Sequence, residues 1–566
     1  MHPLTGVLKI FVSEHLHYEE VPMNANAQGD GHVIHLKGKL SFLEVVRIAR
    51  AHTSDFPMVR LDPEVRDRMV VIRGWLEKLI PRRVMYGINT GCGSNRNKII
   101  PLADLIRYQK KYIMTHAVGF GQPLPREVVR AMMLLRVNSF SLNNSAMTVQ
   151  LCELILDLLN MDITPVIPEF GSVGASGDLV PLAHLGAVLI GLPWAEVFYK
   201  GERRNAREVF TEVKLEHHVL QPKEAMGLTN GATFILANAA LGVHDAFGLL
   251  TLANLGAALH AEAIRGELNA FDARIHEARH QDGQQIVASE LRDLLAGSLR
   301  TTSEAQKIDF PDEKKRPDRR KRKGSRVQDA YSLRCAPQAH GAVYDALLNL
   351  ATIVQNEINA STDNPLVFAG KRGKLSVLSG GNFHGDPLAI PLDAAIIALA
   401  KLASISNARL YRLLNPAWSF GLPADLAGSD DEDNTALMIA QYAVASRVMH
   451  AQGLAGAAFS ALSIPTSMQQ EDYVSNGANS AWGLRKTLGD LRSVLAVELL
   501  AGCQAVDLGT PHLGDLAVLG QGTKRGYDCI RQYVPMMHED RSLYPDIQRV
   551  RELVTKGELL KALEHS

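Results

Sequence analysis

Few side-chain groupings in this chain match common catalytic motifs. There is no H-E-x-x-H zinc motif and no phosphate-binding G-x-x-x-x-G-K-[ST] loop, and the residues after Gly91-Cys92-Gly93 do not complete a dinucleotide fingerprint. The segment GASGD at 174–178 lacks the final glycine of a serine hydrolase nucleophile elbow. What is left is Ala175-Ser176-Gly177, which taken alone is a common turn sequence. Any chemical meaning must come from the sequence around it.

That surrounding sequence, GSVGASGDLVPLAHLG, resembles the signature of the histidine and phenylalanine ammonia-lyase family. In that family the tripeptide cyclises without help into 4-methylideneimidazole-5-one, an electrophile built into the chain. The resemblance implies that the Gly177 amide nitrogen attacks the Ala175 carbonyl carbon, and that two dehydrations remove this oxygen and the Ser176 hydroxyl. Glycine permits the strained turn that brings these atoms together. Asp178 is implied to assist the proton transfers, with a helix N-cap as its alternative role.

The resemblance extends in order from about Ser41 to Asp515. Within it, YGINTG at 86–91 matches the family's catalytic tyrosine loop, so Tyr86 is implied to be the base that removes the β-proton of the substrate. A tyrosine with an ordinary pKa of about 10 is a poor base at neutral pH. The role therefore requires a pKa lowered by positive charge or by hydrogen bonds.

Further matching segments imply a substrate site. Asn230, in the Asn-Gly step of KEAMGLTNG, is expected to hold the substrate amine or the oxygen of the cyclised group. In QDAYSLRC at 328–335, Arg334 is expected to bind the substrate carboxylate through its planar guanidinium, while Gln328 and the catalytic Tyr331 complete the pocket and assist proton transfer. Phe383, in SGGNFHG, is expected to press against the cyclised group, and Gln470 of Gln-Glu-Asp is placed in the substrate site.

Substrate choice is expected to depend on the pair Thr115-His116. It resembles the Ser-His of histidine ammonia-lyases more than the His-Leu of tyrosine enzymes or the Phe-Leu of phenylalanine enzymes. An unpaired buried histidine is costly against an apolar phenyl ring, so His116 favours a polar aromatic substrate. Histidine is the first expectation and tyrosine or a hydroxylated relative the next. His450 aligns where histidine enzymes place a glutamate near the ring, and it joins the predicted substrate site.

Departures from the family pattern leave alternatives open. Ala330 replaces a proline usual in histidine enzymes, Cys92 replaces the usual phenylalanine of the tyrosine loop, and Asn143–Ala146 replaces a Gly-x-Ser-Gly stretch. Ammonia elimination giving a trans-α,β-unsaturated acid is the main expectation, and a 2,3-aminomutase, which re-adds ammonia before product escapes, is the alternative. A third hypothesis, a protein that binds nucleic acid or another partner through the basic run Lys314–Arg326, is disfavoured because that run has no aromatic residue for stacking.

The elements that must position these groups are mostly helices. Helical periodicity and few breakers predict long helices over 231–265, 338–360, 388–414, 435–462 and 479–505. Glycines between 367 and 382 indicate a small hairpin. The fold class is therefore predicted as mainly α, an elongated bundle of long central helices with a mixed N-terminal head that carries the tripeptide loop.

The predicted organisation has four parts. They are a flexible extension (1–40), a head domain (41–230), a helix bundle (231–515) with a mobile basic loop (300–327), and a C-terminal helical tail (516–566). The resemblance further implies a homotetramer whose active sites draw residues from three chains.

Composition limits the remaining classes. The 566 residues hold 60 basic and 60 acidic side chains, so no overall charge recruits nucleic acid or an anionic membrane. Hydrophobic residues make up 46%, enough for a large core, but no uninterrupted apolar run predicts a membrane span. Five cysteines without a C-x-x-C pair indicate reduced thiols, and the first twenty residues do not resemble a signal peptide. We therefore expect a cytoplasmic enzyme that needs no metal.

Overall fold

The structure, a computed structural model, describes residues 33–51, 57–312, 327–429, 431 and 433–564. These residues form four small sheets, in which β1–β2 is parallel and the β3–β5, β4–β6–β7 and β8–β9 pairings are antiparallel. The strands are β1 (Val33–Leu36), β2 (Met58–Leu61), β3 (Phe120–Pro123), β4 (Thr164–Pro165), β5 (Pro168–Phe170), β6 (Glu196–Tyr199), β7 (Glu202–Asn205), β8 (Leu366–Ala369) and β9 (Leu375–Leu378).

Helices account for most of the described chain, which confirms the mainly α class. The N-terminal helices are α1 (Phe42–Arg50), α2 (Pro63–Leu79), α3 (Leu105–His116), α4 (Arg126–Ser141), α5 (Val149–Asn160), α6 (Leu179–Leu189), α7 (Ala206–Val213) and α8 (Glu224–Thr229). The following helices are α9 (Thr233–Ala263), α10 (Ala273–Glu277), α11 (Asp282–Leu294), α12 (Tyr331–Arg334), α13 (Ala336–Ile358), α14 (Asp386–Leu413), α15 (Met438–Gly456), α16 (Gly477–Leu513), α17 (Gln521–Arg531), α18 (Leu543–Thr555) and α19 (Glu558–Glu564).

The five long helices predicted from periodicity are present as α9, α13, α14, α15 and α16. α15 ends at Gly456, earlier than expected, because Ala458 adopts a left-handed conformation with φ of 43° that ends the helix. α16 continues to Leu513, beyond its expected end. The hairpin predicted between 367 and 382 is also confirmed, since β8 and β9 pair there with Val367 opposite Val377.

α9 lies at the centre of the bundle. Every α9 residue except Asp245 is buried, and the helix packs against α4, α13, α14 and α16. α9 and α14 are long and apolar enough to cross a membrane, but 94% and 67% of their most apolar windows are buried inside the protein. The interior of the bundle therefore accounts for their composition.

One ion cluster joins α9 to its neighbours. The Asp245 carboxylate accepts hydrogen bonds from Arg50 Nη1 at 2.7 Å and Nη2 at 3.0 Å, and Arg492 of α16 binds its second oxygen. Burial opposes ionisation of this carboxyl, but the two guanidinium groups hold its pKa well below the ordinary value. Asp245 thus ties α1 and α16 to the middle of the central helix.

Two segments predicted to be flexible contain ordered residues in the structure. Residues 1–32 of the predicted extension lie outside the described residues, but Val33–Leu36 form β1, with Ile34 paired to Val59. In the predicted mobile loop 300–327, Arg300 is fully buried and donates to the carbonyl oxygens of Glu262 and Val506. Packing on α9 and α16 therefore orders the start of this loop. The basic run Lys314–Arg326 lies outside the described residues, and the domain divisions at 230 and 515 stay predictions.

We expect Asp245→Ala to destabilise the protein by about 3 kcal/mol, because it leaves two largely buried guanidinium groups without their shared carboxylate. The matched control is Asp528→Ala, which breaks the exposed pair with Lys524 and should cost less than about 0.5 kcal/mol. Denaturant unfolding of both variants measures the difference. Equal losses in the two variants would contradict the structural role of Asp245.

Candidate active site

The tripeptide loop folds against the start of α9. Gly177 forms backbone bridges to Ala175 and to Gly231, and the Asp178 N–H donates to the Gly231 carbonyl oxygen at 2.9 Å. Gly177 has a φ of 74°, and a Cβ placed on it would lie 2.4 Å from the Gly231 backbone. Only glycine fits there, because any side chain would separate the two backbones.

Asp178 connects this loop to α9. Its side chain does not cap α6, the helix that follows it. Instead its Oδ2 accepts the N–H groups of Phe234 at 2.8 Å and Ile235 at 3.0 Å, and its Oδ1 accepts the Ser172 hydroxyl at 2.8 Å. Burial raises the pKa of Asp178 to about 6, against the opposing effect of these hydrogen bonds. The N-cap alternative therefore holds, but for α9 rather than for α6.

The Ser176 hydroxyl has an acidic partner. Its Oγ donates to Glu471 Oε1 at 2.8 Å, and Asn230 Nδ2 donates to the Ser176 carbonyl oxygen at 2.9 Å. Asn230 is buried, and its Oδ1 has no hydrogen-bond partner among the described residues. The structure thus brings Ser176 and Asn230 together, as expected, and adds Glu471 to them.

The segment that carries Glu471 also contacts the tyrosine loop. Thr466 Oγ1 donates to Glu471 Oε2 at 2.9 Å, and the Ser94 N–H donates to Ser467 Oγ at 3.2 Å. The Gly93 N–H donates to the Tyr86 hydroxyl at 3.2 Å. Residues 466–471 therefore bridge the tyrosine loop and the tripeptide within one chain.

The environment of Tyr86 differs from the one its expected role requires. Burial raises its pKa, and the nearby Cys92 and Glu471 side chains also raise it. The Gly93 N–H and Arg96 act in the opposite direction without outweighing these effects. The described residues thus favour the protonated phenol, and their charges do not give the lowered pKa that a tyrosine base needs.

His116 is the last residue of α3 and lies close enough to Glu471 for that carboxylate to affect its pKa. Its ring stacks on Tyr112 with centroids 3.8 Å apart, and its Nδ1 lies 2.7 Å from the Tyr112 carbonyl oxygen. Burial lowers the pKa of His116, which favours the neutral ring. A carbonyl only accepts, so Nδ1 carries the proton and Nε2 is left as an acceptor. Thr115 is exposed and donates to the Lys111 and Tyr112 carbonyl oxygens.

The expected carboxylate-binding group lies elsewhere in the chain. Arg334 donates to the Asp329 carbonyl oxygen at 3.1 Å and stands over the Tyr331 ring at 4.8 Å. Asp329 in turn accepts the Glu267 N–H at 2.6 Å, just after the end of α9. Since 31 residues of helix span about 45 Å, this group and Ser176 lie at opposite ends of α9. Gln328 and Tyr331 are exposed there, with Tyr331 at 72%.

The other predicted substrate residues separate into two groups. Phe383 is half-buried near the tripeptide loop, since Gly385 packs on Ser475, whose hydroxyl donates to the Gly174 carbonyl oxygen at 3.2 Å. Gln470 is exposed beside Glu471.

His450 lies away from this loop. Its Nδ1 is 2.6 Å from Asp490 Oδ2, about 20 Å along α16 from the end of that helix that contacts the loop. There it lines a separate cleft of about 560 Å³ with Arg447, Lys486 and Arg551. Within one chain, His450 is therefore not beside Ser176.

Comparison with known proteins identifies the family of this chain. The family model for aromatic amino acid lyases matches residues 40–532. The chain belongs to the aromatic amino acid lyase family.

Individual relatives cover nearly the whole chain. A histidine ammonia-lyase of Deinococcus radiodurans is 42% identical over 507 residues, covering 89% of this chain and 91% of the relative. Among solved structures, tyrosine aminomutase from Streptomyces globisporus matches with a TM-score of 0.85 and 31% identity, covering 94% of this chain and 98% of that one. Histidine ammonia-lyase from Trypanosoma cruzi matches with a TM-score of 0.82 and 32% identity, covering 94% and 95%.

In this aromatic amino acid lyase, the structure adds Glu471 to the residues around Ser176, a contact that the sequence motif alone does not indicate. The resemblance of Gln470-Glu471-Asp472 to the family predicts Gln470 as the site residue. The three residues directly follow a short irregular turn. No helical or strand periodicity therefore indicates which of their side chains faces inward. A carboxylate in a matched motif was the only signal available.

The raised pKa of Asp178 predicts that the free energy of unfolding depends on pH. Its pKa is about 6 in the native state, against an ordinary 3.8, so the native protein takes up a proton before the unfolded chain does. This group therefore favours the native state at low pH, and that stability, about 3 kcal/mol from the shift, is lost as pH rises from 4 through 6.

The measurement compares Ser176→Ala with Ser176→Ala/Asp178→Asn, so that the tripeptide stays open in both proteins. The difference in their unfolding free energies should change between pH 4 and 7 and level off above pH 7. A difference independent of pH would show that Asp178 does not titrate in this window.

Proposed function

We propose that this aromatic amino acid lyase acts on L-histidine, eliminating ammonia to leave the trans-α,β-unsaturated acid. The observation that carries the proposal is the enclosed group around Ser176, in which Glu471, Asn230 and Asp178 surround the tripeptide. The relatives named histidine ammonia-lyase support the same substrate. His116 supports it as well, because a neutral ring with a free Nε2 acceptor suits a substrate ring that carries an N–H.

We further propose that Ala175-Ser176-Gly177 forms 4-methylideneimidazole-5-one. The residues present fit this group: Gly177 has no side chain to block its amide, and the Ser176 hydroxyl has the Glu471 carboxylate as acceptor at 2.8 Å. The group supplies an electrophile that makes the substrate amine a better leaving group. The described residues contain no cluster of three His, Cys, Asp or Glu side chains suited to a metal.

The chain's own residues perform the remaining tasks. Asn230 holds the Ser176 carbonyl oxygen through Nδ2 and presents a buried, unpartnered Oδ1 that can accept from a substrate ammonium. Tyr86 is proposed as the base, with Glu471 near it to accept or return a proton. Arg334, Tyr331 and Gln328 bind the substrate carboxylate end, and Phe383 packs against the tripeptide loop.

These roles need more than one chain, and we propose a homotetramer with shared sites. Ser176 and Arg334 lie at opposite ends of α9, about 45 Å apart along it. Apolar side chains on α14 and α15 are exposed in the single chain, including Ile390 at 62%, Tyr442 at 65% and Met449 at 69%. Such surface is expected to be covered by other copies of the chain. All five cysteines are free thiols, which supports a cytoplasmic location.

The proposed activity is tested by mixing purified protein with His, Tyr, Phe or dihydroxyphenylalanine. We expect absorbance from an unsaturated acid, and equimolar ammonia, with histidine above the other three. Intact mass should be lower than the sequence mass by two waters, about 36 Da. Ser176→Ala should keep the full mass and lose activity, because it has no hydroxyl to eliminate.

The outcomes separate the alternatives. A β-amino acid without free ammonia would indicate a 2,3-aminomutase, and a full wild-type mass would overturn the cyclised group. His116→Leu should lower kcat/KM for histidine by about 10- to 100-fold, since it removes a half-buried hydrogen-bond acceptor. The control is kcat/KM for phenylalanine, which His116→Leu should change little.

Shared sites predict complementation between two inactive variants. Ser176→Ala and Arg334→Ala should each be nearly inactive when expressed alone. When they are expressed together in equal amounts, about a quarter of the sites receive an intact Ser176 and an intact Arg334 from different chains. Activity of the mixed tetramers should therefore approach a quarter of the wild-type value, and no recovery in verified mixed tetramers would contradict shared sites.

A further inference from the structure

A buried arginine lies directly behind the tripeptide loop. Arg136 of α4 is fully buried, and its Nη2 donates to the carbonyl oxygens of Gly227 and, at 2.9 Å, Asn230. Its Nη1 lies 3.4 Å from Thr233 Oγ1 and 3.3 Å from Thr362 Oγ1. Three of these four partners belong to residues 227–233, which lead into α9.

None of those four partners is a carboxylate. Burial lowers the pKa of Arg136 to about 10, so the side chain stays charged at neutral pH, helped by the negative charges of Asp363 and Asp178. Desolvating a guanidinium costs several kcal/mol. A methionine or leucine would fill the same space without that cost, so the arginine is explained by the carbonyl groups that it holds.

The Arg136 guanidinium packs against Gly231, and Gly231 in turn packs against Gly177. A Cβ on Gly231 would lie 2.4 Å from Arg136 Nη1, and a Cβ on Gly177 would lie 2.4 Å from the Gly231 backbone. The Gly231 carbonyl oxygen also accepts the Asp178 N–H at 2.9 Å. The position of the guanidinium therefore determines where Gly231 lies, and Gly231 determines where the Gly177 amide lies.

We propose that Arg136 is a positioning residue for cyclisation of Ala175-Ser176-Gly177, an inference that rests on the proposed function. In that reaction the Gly177 nitrogen bonds to the Ala175 carbonyl carbon. The Ala175 oxygen leaves as water with the amide protons of Gly177 and Ser176. The Ser176 hydroxyl leaves as a second water with the α-proton of Ser176, so no oxidant or reductant is needed. Arg136 transfers no proton and acts by holding the 227–233 segment against the loop.

The same helix provides a matched control. Arg130, six residues earlier on α4, is also fully buried. It donates to the carbonyl oxygens of Ile48, Ala49 and Leu159 and to Asp162, none of which belongs to the tripeptide loop or to the 227–233 segment. Arg130→Met and Arg136→Met thus each remove one buried guanidinium from α4, but only the second touches the segment that carries Asn230 and Gly231.

The test follows intact mass with time after synthesis in wild type, Arg136→Met, Arg136→Lys and Arg130→Met. We expect wild type and folded Arg130→Met to lose two waters at similar rates. Arg136→Met should cyclise about 10- to 100-fold more slowly, because two buried carbonyl groups lose their donor. Arg136→Lys, which keeps one charged donor, should lie between them.

The outcomes are distinguishable. A full wild-type mass overturns the proposed function itself, whereas equal cyclisation rates in Arg136→Met and Arg130→Met overturn only the role of Arg136. If the Arg136 variants do not fold, Thr362→Val removes one hydroxyl partner of Nη1 and should slow cyclisation measurably. An unchanged rate in that folded variant would also overturn the inference.

Discussion

The joint between the tripeptide loop and the first turn of α9 is the constraint on which the rest of the site depends. The first N–H groups of a helix have no partner within it, and here the Asp178 carboxylate accepts two of them. The same residue follows the tripeptide directly in sequence. The end of the central helix and the reactive turn are therefore one structural unit, and neither can move without breaking buried hydrogen bonds.

If the sites are shared as proposed, the length of α9 explains why one chain does not complete a site alone. A helix buried over nearly all of its 31 residues is rigid, and it keeps its two ends about 45 Å apart. One end carries Ser176 and Asn230, and the other carries Arg334 and Tyr331. Antiparallel association of copies would place unlike ends side by side, which a single chain cannot do by any local rearrangement. The raised pKa of Tyr86 agrees with the proposed sharing of sites, because the charges of the described residues do not lower it below its ordinary value.

Much of the fold could be predicted from sequence because the long helices have few breakers and strong apolar patterns. α9, α13, α14 and α16 follow from that periodicity, and the hairpin follows from its glycines. β1 could not be predicted, because its four residues are ordered by pairing with β2 across the chain rather than by their own pattern. Order at the start of the 300–327 loop has a similar origin, since Arg300 is buried by distant carbonyl groups on α9 and α16.

For the site, matched motifs identified residues but not their surroundings. Ser176, Asn230 and Asp178 come together as expected, yet nothing in their sequence spacing indicates that Asp178 caps α9. The family resemblance places His450 in the substrate site, but it lies on α15, away from the tripeptide loop. A position along a regular helix does not by itself indicate the distance of that residue from a loop elsewhere in the chain. The contact of Glu471 with Ser176 could not be predicted, because an irregular turn determines which of three adjacent polar residues faces Ser176.

Two opposite charges, on Asp178 and Arg136, hold the backbone at Gly231, the residue on which Gly177 packs. Asp178 accepts N–H groups after Gly231, while Arg136 donates to carbonyl groups before it, so the backbone through Asn230 and Gly231 is held from both directions. Each charge is buried, and each lowers the cost of burying the other. Because Gly177 packs on this restrained backbone without any side chain between them, the restraint reaches the amide nitrogen that must approach Ala175. A flexible turn of the same sequence would spend little time in that approach, so the proposed cyclisation depends on the surrounding charges as well as on the tripeptide.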